Sequence, residues 1–104
     1  MKVDIIKILE EAVEDLGLGR EFYEQQDQEM GSYFIVALLS DVRSLRLYAG
    51  IHSTQFGYLR MLASRFPFAI YYEVEGTTAK IVAILDMRSN PKSIRAASQQ
   101  RKRQ

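Results

Sequence analysis

Arg60, Arg65 and Arg88 are the residues best placed to do chemistry in this 104-residue chain. Arg60 lies in a short apolar segment that reads as a strand, Arg65 in the turn that follows, and Arg88 at the end of a later strand. A hairpin topology could bring all three to one end of a sheet, and converged guanidinium groups bind carboxylates or phosphates bidentately. Tyr58, and Tyr71 on the outward phase of an alternating strand, could stack on bases, as in grooves for single-stranded nucleic acid. The alternative is that the tyrosines pack and the arginines solvate a surface, the commoner fate of both. His52, the sole histidine, could exchange a proton near neutral pH or act structurally, as lone loop histidines commonly do. Ser53 beside it makes no triad, because a base must be placed by the fold and not by adjacency.

Other chemistries lack their residues. There is no cysteine, which excludes disulfides, thiolate catalysis and cysteine zinc sites and makes the cytoplasm the expected compartment. One histidine cannot readily assemble a zinc site, and no Gly-rich phosphate loop, HExxH or EF-hand pattern occurs, so no cofactor or metal is implied. Met1 to Leu9 mixes Lys2, Asp4 and Lys7 into its apolar run, unlike a signal peptide. No apolar stretch of about 18 residues exists to span a bilayer, so no membrane partner is expected. Charge is unevenly placed: residues 1–50 hold five Lys/Arg against ten Asp/Glu, whereas residues 51–104 hold nine against three. The basic half suggests an anionic or acidic partner, unless the two patches face solvent or each other.

The elements that must position these residues follow from periodicity. Val3 to Leu9 reads as a strand, though a helix could begin inside it. From Glu10, Ala12, Val13, Leu16 and Tyr23 recur at helical spacing, with Gly17 and Gly19 as weak points. Gly31-Ser32 reads as a break, with Ser32 capping a second helix to about Tyr48 whose face is Phe34, Leu38, Val42 and Leu45. Ile35 and Leu39 extend that face, so the helix is either sandwiched or offers surface to a partner. Tyr58 to Leu62 is a short strand. Phe68 to Glu75 alternates with period two, Gly76-Thr77 turns, and Ala79 to Leu85 is its hairpin mate and a central strand. Asn90-Pro91 opens a C-terminal helix through Ile94, Ala96 and Ala97, and the basic tail 99–104 is expected to fray. The sum is an α+β domain, one layer of helices on a small sheet.

The segment Gly57 to Gly76, and above all Arg65-Phe66-Pro67-Phe68-Ala69-Ile70-Tyr71-Tyr72, resembles the sheet signature of the RelE/ParE toxin superfamily, especially ParE-type plasmid-stabilisation proteins. Ala12 to Leu16 and Phe22-Tyr23-Glu24 are similar to the family's first helix, and Ile84 to Pro91 to its closing strand and Arg-x-x-Pro turn; the likeness spans residues 3–95. It implies a single toxin domain over residues 1–98: an N-terminal strand, a helical hairpin packed on a small twisted antiparallel sheet, and a short C-terminal helix. It also implies a cognate antitoxin that wraps the toxin in a hetero-oligomer. RelE-like members cut mRNA on the ribosome without metal, whereas ParE-like members inhibit DNA gyrase by binding it. Arg60 and Arg88 match basic positions of the nuclease set, but Leu62 and Ala69 stand where others are expected, and no tyrosine follows Tyr72. A phosphate clamp without an acid–base pair favours the ParE-like, non-enzymatic reading, with Arg60, Arg88 and His52 as the catalytic candidates if the chain is a nuclease. Candidates for target or antitoxin binding are Arg60, Arg65, Arg88, Tyr58, Tyr71 and Arg95. A third reading is a relative that binds without poisoning.

Overall fold

The computed structural model describes residues 2–89, 94 and 99–101. Asn90-Pro91, Arg95, Ala96 and Ala97, singled out above, lie outside the described residues. Chain order is β1 (Ile5–Ile8), α1 (Glu10–Glu24), α2 (Gln28–Arg43), α3 (Leu45–Tyr48), β2 (Thr54–Gln55), β3 (Tyr58–Leu62), β4 (Phe68–Glu75) and β5 (Thr78–Asp86). Ile94 and residues 99–101 are helical, as a C-terminal helix requires. The five strands form one sheet in the order β1-β5-β4-β3-β2. Strands β2 to β5 are antiparallel neighbours, while β1 runs parallel to β5. Thus β5 lies between two strands, as its continuous apolar run predicts.

The second helix starts five residues earlier than the Ser32 cap would put it. Asp27, in extended conformation, accepts from Glu29 N at 3.0 Å and is the cap, satisfying one of the amide groups that a helix start leaves free. Gly31 is therefore inside α2 and is not a breaker. A Cβ there would sit 2.1 Å from Glu24 Cγ, so glycine lets the end of α1 cross α2 closely. Gly19 serves the same end on α1, where a Cβ would lie 2.5 Å from Phe34 Cζ. The Phe34 ring lies 5.2 Å from that of Tyr23, 5.1 Å from Phe66 and 4.9 Å from Phe68. Both phenylalanines of the Arg-Phe-Pro-Phe stretch thereby fasten the β3–β4 turn to the helical hairpin, and such ring pairs add about 0.5–1.5 kcal/mol each beyond area burial. Asp41 of α2 secures the same turn, accepting from Ser64 N at 2.9 Å and Ser64 Oγ at 2.8 Å.

The main core lies between the helices and one face of the sheet, and Ile35 and Leu39 pack against its edge. A second, smaller cluster occupies the opposite face: Tyr58, Ala69, Tyr71, Val82 and Ala83, with Ile94 packed into it. A bulge creates part of this second face. Tyr71 pairs with Ala83 and Tyr72 with Ile81, leaving Val82 unpaired, so consecutive residues Val82 and Ala83 both join the smaller cluster.

Candidate functional site: a cavity at Arg60

The alternation of β3 decides where Arg60 points. Leu59 and Met61 face the helices, so Tyr58 and Arg60 face the other way. In register, Arg60 stands opposite Tyr71, whose ring belongs to the smaller cluster. A cavity of ≈ 200 Å³ opens beside them, with Gln55, Phe56, Met87, Ser89 and Ile94 as its other walls. Phe56 and Gly57 form the two-residue turn between β2 and β3, with φ of 56° and 85°. Positive φ at both positions suits a tight hairpin, but it costs a side-chain-bearing residue such as Phe56 roughly 1–2 kcal/mol. The strained turn carries the Phe56 ring to a centroid 6.3 Å from that of Tyr71, forming the cavity wall. Arg60 Nε and the Tyr71 hydroxyl are buried without a hydrogen-bond partner.

The structure separates the other candidates from this cavity. Arg88 donates from Nε and Nη2 to the Asp86 carboxylate at 3.0 and 2.8 Å, and from Nη2 to the Tyr23 hydroxyl at 3.3 Å. Its guanidinium lies 5.1 Å from the Phe22 ring centroid, on the α1 side, while its neighbours Met87 and Ser89 line the Arg60 cavity. Hydrogen bonding to Arg88 holds the Asp86 carboxyl below its ordinary range. Arg65 is exposed in the β3–β4 turn. The three arginines therefore do not converge, because strand alternation sends Arg60 to one face and Asp86 holds Arg88 on the other. Tyr58 and Tyr71 are buried, so neither offers a free ring face to a base; burial also pushes the Tyr58 hydroxyl pKa up, with the Glu73 charge adding to it.

His52, partly buried, contacts the helix-side core through Tyr72. Gly50 N donates to the Tyr72 hydroxyl at 3.0 Å, and that hydroxyl is hydrogen-bonded to His52 Nδ1. Tyr72 is fully buried among the helix-facing residues, so the sheet stands between His52 and Arg60. Burial lowers the His52 pKa below 6.5. An imidazole with a lowered folded pKa contributes stability that is present above about pH 6.5 and is lost as pH falls through 6.5 toward the folded value. We expect the stability of the parent relative to His52→Gln to be greater near about pH 7.5 than near about pH 5.5 in parallel thermal melts. A constant gap across that range would show that His52 titrates alike folded and unfolded.

One anchoring residue was hidden in the tail. Residues 99–101 are helical, and Arg101 forks onto Asp15, with Nη2 at 2.9 Å from Oδ1 and Nη1 on Oδ2. It also reaches Glu11 at 3.0 Å and donates to the carbonyl of the bulged Val82 at 3.3 Å. Asp15, itself buried, accepts from Ile84 N at 2.9 Å. The frayed tail expected over 99–104 does not hold at Arg101, since this fork and the Val82 carbonyl hold it. The only sequence signal for this contact was the opposite charge of the two halves. Among the described residues, no group of acids and histidine could hold a metal ion, and no helix is long and apolar enough to cross a membrane.

No family model matches this sequence, and no curated protein matches it. A solved structure described as "Chromosomal ParDE TA system from P. aeruginosa" contains a chain that superimposes on this one with a TM-score of 0.69, at 21% identity over 77% of this chain and 91% of that one. The two chains share one fold. It is the fold that the RelE/ParE resemblance implied, a helical hairpin on an antiparallel sheet with an N-terminal strand. Within that ParDE-like fold, the Arg60 cavity lies on the sheet face turned away from the helices.

Proposed function

We infer that this chain is the toxin of a toxin–antitoxin pair, of ParE type, which inhibits DNA gyrase by binding and is neutralised by a cognate antitoxin. The observation that carries the reading is the fold shared with a chain of a chromosomal ParDE system. The site geometry supports binding over cleavage. RNA cleavage needs groups that take a proton from the 2′-hydroxyl, give one to the leaving oxygen and stabilise the charged phosphorus. Among the described residues that line the cavity with Arg60, Tyr71 and Ser89 carry hydroxyls and none carries a carboxylate or imidazole to act as a base. His52 lies across the sheet and Arg88 is engaged by Asp86. An antitoxin's amphipathic segment finds apolar surface on the helices at Leu18, Phe22, Val36, Leu47 and Tyr48, all exposed, with counter-charge in the basic half.

The test is a gyrase supercoiling assay run beside translating ribosomes. The purified protein is expected to suppress supercoiling, or trap cleaved DNA, in proportion to its concentration and to leave ribosome-bound mRNA full length. Codon-specific cuts lost on Tyr71→Phe would reverse the assignment in favour of the RelE-like nuclease.

A further inference from the structure

Among the described residues, Arg60 Nε and Tyr71 OH are the side-chain polar atoms buried without a hydrogen-bond partner, and the residues that carry them line the same cavity. Both are donors, set side by side by the β3–β4 register. Buried donors are nearly always paired, because desolvation is otherwise uncompensated. Two in one place, walled by a residue held in a strained backbone conformation, Phe56 at φ 56°, mark a built site and not a packing accident.

We propose that this cavity receives one carboxylate, carried into it on an aspartate or glutamate side chain of a protein partner; the partner's existence rests on the toxin reading above. Charge is the first reason. Among the described residues, the cavity walls carry one guanidinium and no acid, which balances a single negative charge. Donor geometry is the second, since an N–H and an O–H on adjacent strands can reach the two oxygens of one carboxylate or share one of them. Shape is the third. A phosphodiester is flanked on both sides by sugars and needs a groove through which the strand enters and leaves, whereas Tyr71 is 0% exposed and the space is ≈ 200 Å³. A carboxylate sits at the end of a thin stem. The apolar walls Phe56, Met87 and Ile94 suit the methylenes of such a stem.

The experiment is a titration of the full chain, labelled with nitrogen-15 in its arginines, with acetate, propionate and methyl phosphate at constant ionic strength, following the Arg60 Nε–H resonance. The two carboxylates are expected to move that resonance saturably, and more tightly than methyl phosphate. Tyr71→Phe, which keeps the ring and removes the donor, is expected to weaken carboxylate binding about tenfold, the scale of one hydrogen bond to a charged group. Tighter binding of methyl phosphate would overturn the proposal in favour of a nucleic-acid strand. An unmoved resonance, or equal affinity in Tyr71→Phe, would overturn it in favour of ordered water. The two readings fail separately: growth arrest with an unmoved Arg60 sinks the cavity assignment alone, while carboxylate binding without growth arrest sinks the toxin and its partner.

Discussion

Asp15→Ala is expected to lower the free energy of unfolding by about 3 kcal/mol or more, the scale for removing one member of a buried ion pair. The Asp15 side chain is 8% exposed and that of Arg101 15%, so solvent does little to screen or replace their contact. The substitution strands two groups at once. Among the described residues, Arg101 loses its fork and keeps Glu11 and the Val82 carbonyl, and Ile84 N loses its acceptor. Arg101→Ala should cost less, because Asp15 would still accept from Ile84 N. Asp15→Asn should fall between the parent and Asp15→Ala, since its amide oxygen still serves that N–H. Urea midpoints of the three variants give the order. A loss under about 1 kcal/mol for Asp15→Ala would show the contact to be an ordinary surface pair.

Arg60→Ala should do the opposite, leaving the fold and removing the function. Arg60 Nε has no hydrogen bond to lose, so the stability change should stay within about 1 kcal/mol, mostly lost packing of the side-chain stem. An arginine at the centre of an interface costs roughly 2 kcal/mol or more on truncation, which is about thirtyfold in affinity. Arg65→Ala and Arg88→Ala test the remaining exposed candidates. Arg88 contributes a paired but largely solvent-facing contact with Asp86, so its loss should hardly shift the melting temperature. Binding by each variant should be measured beside its thermal midpoint. If Arg60→Ala melts far below the parent while its folded fraction binds normally, Arg60 is structural.

Most of the fold was legible because local signals agreed with it. The alternation of Phe68 to Glu75, the Gly76-Thr77 turn and the apolar run after it specify a hairpin without help from the rest of the chain. Non-local contacts were not legible. Nothing in Val3 to Leu9 says that this strand will pair with a segment some seventy residues away, or run parallel to it. The helix cap was misplaced because Gly31-Ser32 carries turn chemistry locally, while the need for glycine there comes from Glu24 on another helix. The site was half legible. Arg60 and Tyr71 were both named, but period two alone puts Tyr71 on an outward face, and only Phe56, Ile94 and the bulge at Val82 make that face a second core. Arg88 was drawn off by Asp86, a neighbour only two residues away whose influence depends on the turn that brings the carboxylate round.

The central claim is that this chain poisons growth and is restrained by a partner. The most direct measurement induces the chain alone in a bacterial host, then together with a candidate antitoxin, and follows growth and soluble expression in both. The expected result is arrest with the chain alone and normal growth with both. Unimpaired growth at confirmed soluble expression of the chain alone would contradict the account.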